Sequence, residues 1–205
     1  MKVLVVTGGI GSGKSVVCSI LKERYGIPVY EADLRAKQLY VEVPEMLDDM
    51  ETKLGVSLRN SSGEFVPSLL AEIIFNDSDA LRLVEDMLFP VLMKDFADWA
   101  ERQDCEVVAF ESATVLEKQQ FEGFGDLVLL IAAPVQLRLS RAMERDKASR
   151  EKIQARISLQ SSMNMLSDGH EDSRVDFVLK NDSSFENLEL HLKEFMEKYS
   201  LTKML

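Results

Sequence analysis

Five short apolar runs punctuate the chain, each followed by a stretch in which apolar residues recur at helical spacing. The runs are Val3 to Val6, Ile27 to Tyr30, Cys105 to Phe110, Asp126 to Ala133 and Val175 to Leu179. Their Val, Ile and Leu content predicts buried strands of a parallel sheet covered on both faces. Helical spacing is predicted from Val16 to Tyr25, from Asp33 as N-cap through Leu39, and from Pro44 to near Gly55. A polar turn or short hairpin follows at Ser57 to Val66. From Ser68 to Arg102 the pattern is helical again, with breaks expected around Asn76–Ser78 and at Pro90. Pro134 opens a further helix, a basic segment leads to a helix ending near Met163, and Ser167 to Arg174 reads as a loop. Phe185 to Tyr199 is a closing amphipathic helix.

Strands alternating with helices predict an α/β fold: a five-stranded parallel sheet with right-handed crossovers, flanked by helices. The helical stretch between the second and third strands interrupts that alternation. It predicts a substrate-binding insert at about 44–103 in a core of 1–43 and 104–205, all within one domain. A length of 205 residues with 46% apolar content suits such a core.

The turn after the first strand carries the chemistry. Gly8-Gly9-Ile10-Gly11-Ser12-Gly13-Lys14-Ser15 is a complete phosphate-binding P-loop between a strand and a helix. Its glycines let successive N–H groups converge on an anion at a helix N-terminus. Lys14 reaches the β- and γ-phosphates of a nucleoside triphosphate, and the Ser15 hydroxyl is the expected ligand of Mg²⁺. The triphosphate-bearing loop must stay in the mature chain, so the apolar stretch before it is not a signal peptide. No run is long enough to span a membrane, and Cys18 and Cys105 lack metal spacing and read as reduced core thiols. A cytoplasmic protein is expected.

A net charge of −11 argues against a nucleic-acid partner. Between Arg138 and Arg156, however, seven basic side chains face three acidic ones. That basic segment suits a small polyanion better than a polymer. Arg141, Arg145, Arg150 and Arg156 fit a lid, at about 141–163, that closes over the triphosphate and excludes water. No guanine-reading Asn-Lys-x-Asp motif occurs, and the Asp126–Ala133 strand ends without a metal-binding aspartate. Both features disfavour GTPases and motor ATPases and favour a small-molecule kinase. A kinase acting on an alcohol needs a carboxylate to accept the hydroxyl proton. Glu31, Asp33 and Glu111 stand at carboxyl ends of strands, where ligands of open α/β sheets bind, and Asp33 is the expected base. Glu31 is placed to hold Mg²⁺ through water or to orient Asp33. Two other readings stay open on these residues: a kinase of another small alcohol, such as a nucleoside or sugar acid, and a nucleotide-binding switch without transfer.

The chain resembles the dephospho-CoA kinase family. The resemblance rests on Thr7 through Ser15, Ala32-Asp33, Ile73-Ile74-Phe75, Leu88-Phe89-Pro90, Glu111-Ser112-Ala113 with Leu116-Glu117, and Arg141. It continues through Arg145-Asp146, Arg150, Arg156, Gln160 and Val175 to Val178, then Asn181. It implies a nucleoside-monophosphate-kinase-like fold and transfer of the ATP γ-phosphate to the ribose 3′-hydroxyl of dephospho-CoA, the last step of coenzyme A synthesis. By the same resemblance Gly11, Ser12, Gly13, Lys14, Ser15 and Val16 hold the phosphates of ATP. Arg141 binds them near the reaction centre, Arg145 to Arg156 form the lid and Asn181 lies near the adenine. Thr7, Gly8, Asp33, Glu111 and Arg156 are expected on the acceptor side, with Asp33 as base. A monomer or weak oligomer is expected. Val16, Glu31, Pro67 and Phe89 stand where the family usually has threonine, aspartate, arginine and histidine. His170 and His191 read as surface residues.

Overall fold

The computed structural model describes residues 1–201. Five strands form one all-parallel sheet in the order β2-β3-β1-β4-β5. They are β1 (Lys2–Thr7), β2 (Val29–Glu31), β3 (Val107–Glu111), β4 (Leu127–Ala132) and β5 (Phe177–Lys180). Register aligns Val6 of β1 with Glu111 of β3, and Thr7 with Leu130 of β4, so β1 and β3 end within a residue of each other while β4 runs two residues further. Glu31 in turn pairs with Glu111. The second strand starts at Val29 rather than Ile27, because Pro28 has no N–H for a ladder; its carbonyl instead accepts from Ala109 N at 2.8 Å.

The chain divides into two compact units. Among the described residues, the sheet unit comprises Met1–Glu31 and residues 103–201. Alternate residues of its strands bury in opposite layers. Leu4, Val6, Ala109, Leu129 and Ile131 pack with Val17 and Leu21 of α1 (Lys14–Tyr25) and Leu188, Leu192 and Phe195 of α9 (Phe185–Lys198). On the other side Phe110 stacks on Tyr30 and meets Phe121 and Phe124 of the loop after β3. Cys18 is buried, whereas Cys105 lies ahead of β3 and is half-buried rather than a core residue.

The basic segment folds as three helices: α6 (Val135–Asp146), α7 (Arg150–Ser158) and α8 (Ser161–Ser167). The single helix expected to end near Met163 is therefore broken at Leu159–Gln160, and a second short helix carries on to Ser167. Leu139, Ala142, Ile153 and Ile157 form a small core of their own, against which Ile10 of the P-loop packs. Met163 of α8 is fully buried, but Met165 points outward, since residues two apart lie on different faces of the helix. His170 is exposed and His191 half-buried.

The second unit, Ala32–Arg102, is helical: α2 (Ala32–Glu42), α3 (Pro44–Leu54), α4 (Pro67–Asn76) and α5 (Ser78–Glu101). It begins at Ala32, so α2 groups with α3 to α5. Asp33 is not an N-cap: α2 starts at Ala32, and Asp33 lies inside its first turn, where its charge opposes the helix dipole's positive end. Gly55 closes α3 in the left-handed conformation, and Asp77 caps α5 by accepting from the N–H groups of Asp79 and Ala80. Pro90 does not break α5. It sits on the exposed side, and buried Val84, Leu92, Phe96 and Ala100 hold the helix on either side of it.

Candidate active site

The P-loop joins β1 to α1 and reverses the chain tightly enough that side chains have no room. A Cβ at Gly9 would run into the guanidinium of Arg138, and one at Gly13 into the amide of Asn181. Gly13 also has φ 103°, a left-handed value that side-chain-bearing residues avoid. Lys14 begins α1, and its Nζ donates to the Gly8 carbonyl at 3.0 Å while lying 3.6 Å from Glu111 Oε1. The lysine therefore spans the loop from the side of β3. Both side chains are close to nine-tenths covered, with 11% and 13% of their surface exposed. Ser15 and Val16 are exposed at the helix start, whereas Thr7 and Ser12 are buried, and neither hydroxyl has a hydrogen-bond partner. Spare donors at Ser12 and along the loop fit an anion. Cys18, one turn into α1, is no nucleophile. Burial, reinforced by the Glu111 charge, pushes its thiol up to about 12.

Three side chains grip the outside of the loop. Asn181, just past β5, donates from Nδ2 to the Ser12 carbonyl at 2.7 Å. Arg141 of α6 holds that asparagine, donating to its backbone carbonyl at 3.1 Å and to Oδ1 at 3.4 Å. One turn earlier Arg138 is completely buried and donates from Nε to the Ile10 carbonyl at 3.0 Å. Gln160, from the break between α7 and α8, accepts the Ile10 N–H at 2.8 Å. Arg138 was legible only as one of seven cations in a basic segment. Its spacing of three from Arg141, one helical turn on the same face, is the signal that separates it.

Arg145 and Arg156 converge on one carboxylate. Arg145 donates to both oxygens of Asp146, at 2.6 and 3.2 Å, and Arg156 joins at 2.8 Å. The two guanidinium groups, Arg145 first, hold the Asp146 carboxyl down at about 2. Arg150 donates to Gln136 at 3.4 Å. Glu31, half-exposed, forms an ion pair through Oε1 with Lys22 of α1 at 2.9 Å. A groove of about 830 Å³ opens between the α8–β5 loop and β5, but none of the predicted site residues lines it.

Asp33 belongs to the helical unit, two residues past the end of β2. Its helix is fixed by Arg35, whose guanidinium donates to Asp95 of α5 at 2.8 and 2.9 Å and to Glu42 at 2.8 and 2.6 Å. Those carboxylates raise the arginine above its ordinary range, Asp95 most of all, so the cation is permanent.

Among the described residues no helix is long and apolar enough to cross a membrane, and no cluster of three or more His, Cys, Asp or Glu could hold a metal. The family model for dephospho-CoA kinase matches residues 2–187. A dephospho-CoA kinase of Porphyromonas gingivalis is 36% identical over 170 residues, which cover 83% of this chain and 83% of that protein. A structure from Thermus thermophilus superposes with a TM-score of 0.81 at 29% identity, covering 96% of this chain and 97% of that one. Dephospho-CoA kinase from Campylobacter jejuni superposes with a TM-score of 0.64 at 25% identity, covering 97% and 96%. A P-loop braced by Arg138 and Asn181, a lysine spanning it toward Glu111 and a match over almost the whole chain lead to one family: this protein belongs to the dephospho-CoA kinases.

Proposed function

We propose that the chain transfers the γ-phosphate of ATP to the ribose 3′-hydroxyl of dephospho-CoA, giving CoA and ADP. The observation that carries this reading is the P-loop with Lys14 held between the Gly8 carbonyl and Glu111, in a chain that matches the family over residues 2–187. The loop from Gly11 to Val16 holds the β- and γ-phosphates, although the N–H groups of Ser12 and Val16 donate to the Gly9 and Gly13 carbonyls, and Lys14 swings from Gly8 onto the phosphates. Arg141 neutralises charge beside the transferring group, and its partner Asn181 borders the adenine. Arg145 and Arg156 exchange Asp146 for phosphate oxygens, a trade between like anions that costs little. Thr7, Gly8, Glu111 and Arg156 border the acceptor.

In the step itself the 3′-oxygen forms a bond to the γ-phosphorus as the bond to the ADP oxygen breaks. The hydroxyl proton passes to Asp33. The donor set fits a Mg²⁺ that arrives on the nucleotide, since Ser15 offers an exposed hydroxyl and the described residues contain no dedicated carboxylate cage. When bound, Mg²⁺ would neutralise charge on the β- and γ-oxygens.

The test measures phosphate incorporation from ATP into dephospho-CoA, with nucleosides and sugar acids as competing acceptors. We expect dephospho-CoA to be phosphorylated and the competitors to be ignored. Incorporation into a competitor alone would reassign the substrate, and nucleotide binding without transfer to any acceptor would leave a switch.

A further inference from the structure

A phosphate loop works only if its N–H groups turn inward, which turns its carbonyls outward and obliges the protein to satisfy them elsewhere. Two of those outward carbonyls are answered from or through α6. Ser12 O receives Asn181 Nδ2, itself fixed by Arg141, and Ile10 O receives Arg138 Nε at 3.0 Å. Arg138 donates further to Asn164 Oδ1 at 3.0 Å, Gln160 Oε1 at 3.3 Å and Ser167 Oγ at 3.4 Å. That same Gln160 oxygen accepts the Ile10 N–H, so both sides of one loop residue are tied to one network.

All four acceptors are neutral. The charge is therefore buried without a carboxylate in contact, Asp168 acting only at longer range, and burial pulls the guanidinium below its ordinary value without discharging it. A buried, uncompensated cation is expensive for the fold alone. It becomes favourable once an anion occupies the loop beside it.

We propose that Arg138 is a positioning residue for the nucleotide: it fixes the Ile10 peptide and supplies permanent positive charge behind the loop. The inference rests on the P-loop being the nucleotide site. It also explains Gly9, whose φ is not left-handed and at which the guanidinium of Arg138 is the obstacle to a side chain.

The experiment measures ADP affinity by calorimetry, with Tm, for Arg138→Met, Arg138→Lys and Leu139→Ala. Leu139, the next residue on the same helix, is buried in the small core against which Ile10 packs, so its truncation loosens helix and loop packing while leaving the guanidinium and its hydrogen bonds in place. We expect Arg138→Met to weaken ADP about tenfold or more, Arg138→Lys to fall between, and Leu139→Ala to stay within about threefold despite a comparable Tm loss. In turnover, KM for ATP should rise while KM for dephospho-CoA holds within about twofold. A methionine variant with unchanged ADP affinity, or a leucine variant that loses equally at equal Tm loss, would overturn the proposal.

A cycle with Gly9→Ala tests the close approach of the guanidinium to the loop itself. The alanine should weaken ADP less in the Arg138→Met background than in the wild type; equal penalties would count against the assignment. Should Arg138→Met not fold, Asn164→Ala and Gln160→Ala remove its acceptors singly. Each should weaken ADP about threefold or more, and no change in either would be decisive against. ADP binding needs no acceptor, so these outcomes stand whether or not dephospho-CoA is the substrate.

Discussion

Gly13 shows how tightly single positions are specified. Its φ of 103° and the Asn181 amide against it leave no space for even a methyl group. Gly13→Ala should therefore push Asn181 off the Ser12 carbonyl and reduce ADP affinity about a hundredfold, read by calorimetry on folded protein. Lys14→Ala and Asp33→Asn should each lower kcat about a hundredfold or more while far-ultraviolet circular dichroism stays unchanged. Near-normal turnover in Asp33→Asn would remove it as the base. The loop residues were legible because their chemistry is written in residue type at fixed spacing. Arg138 was not, because an arginine's burial depends on which neutral oxygens the fold gathers around it, here Ile10, Gln160, Asn164 and Ser167.

Among elements, α2 illustrates what holds a proposed base in place. Arg35, two residues beyond Asp33, forks onto Asp95 of α5 with two nearly equal bonds, a planar match that lysine cannot reproduce. Arg35→Lys should lower kcat more than it raises KM for ATP, with a Tm loss of about 1 kcal/mol equivalent; a change in stability alone would make the fork structural only. The strands were legible from their apolar runs and the helices from their period, including the stops at Gly55 and Asp77. Two element-level expectations failed for opposite reasons. Pro90 reads as a break, yet buried neighbours on both sides of it outweigh one missing N–H. Leu159–Gln160 carries no breaker, yet the helix stops there because Gln160, freed from helical geometry, serves the Ile10 N–H.

At the scale of the molecule, a chain of net charge −11 must attract a triphosphate, and it does so by concentrating seven cations between Arg138 and Arg156. Before nucleotide binds, Arg145 and Arg156 spend their charge on Asp146, whose carboxyl they hold at about 2 against an ordinary 3.8. A carboxyl depressed in this way stabilises the fold above the unfolded value and ceases to do so as pH falls through the folded one. Wild type should thus exceed Asp146→Asn in Tm by the full margin at pH 6 to 7, equivalent to about 1 kcal/mol at most for so exposed a cluster. The margin should narrow below about pH 4 as the carboxyl takes up its proton, and shrink in high salt at neutral pH. Nucleotide binding should respond in the opposite sense. With no carboxylate to displace, Asp146→Asn offers its two guanidinium groups directly to phosphate and should bind ADP more tightly at pH 7. An Asp146→Asn protein that is as stable as wild type at every pH and binds ADP no better would show that the arginines do not trade one anion for another.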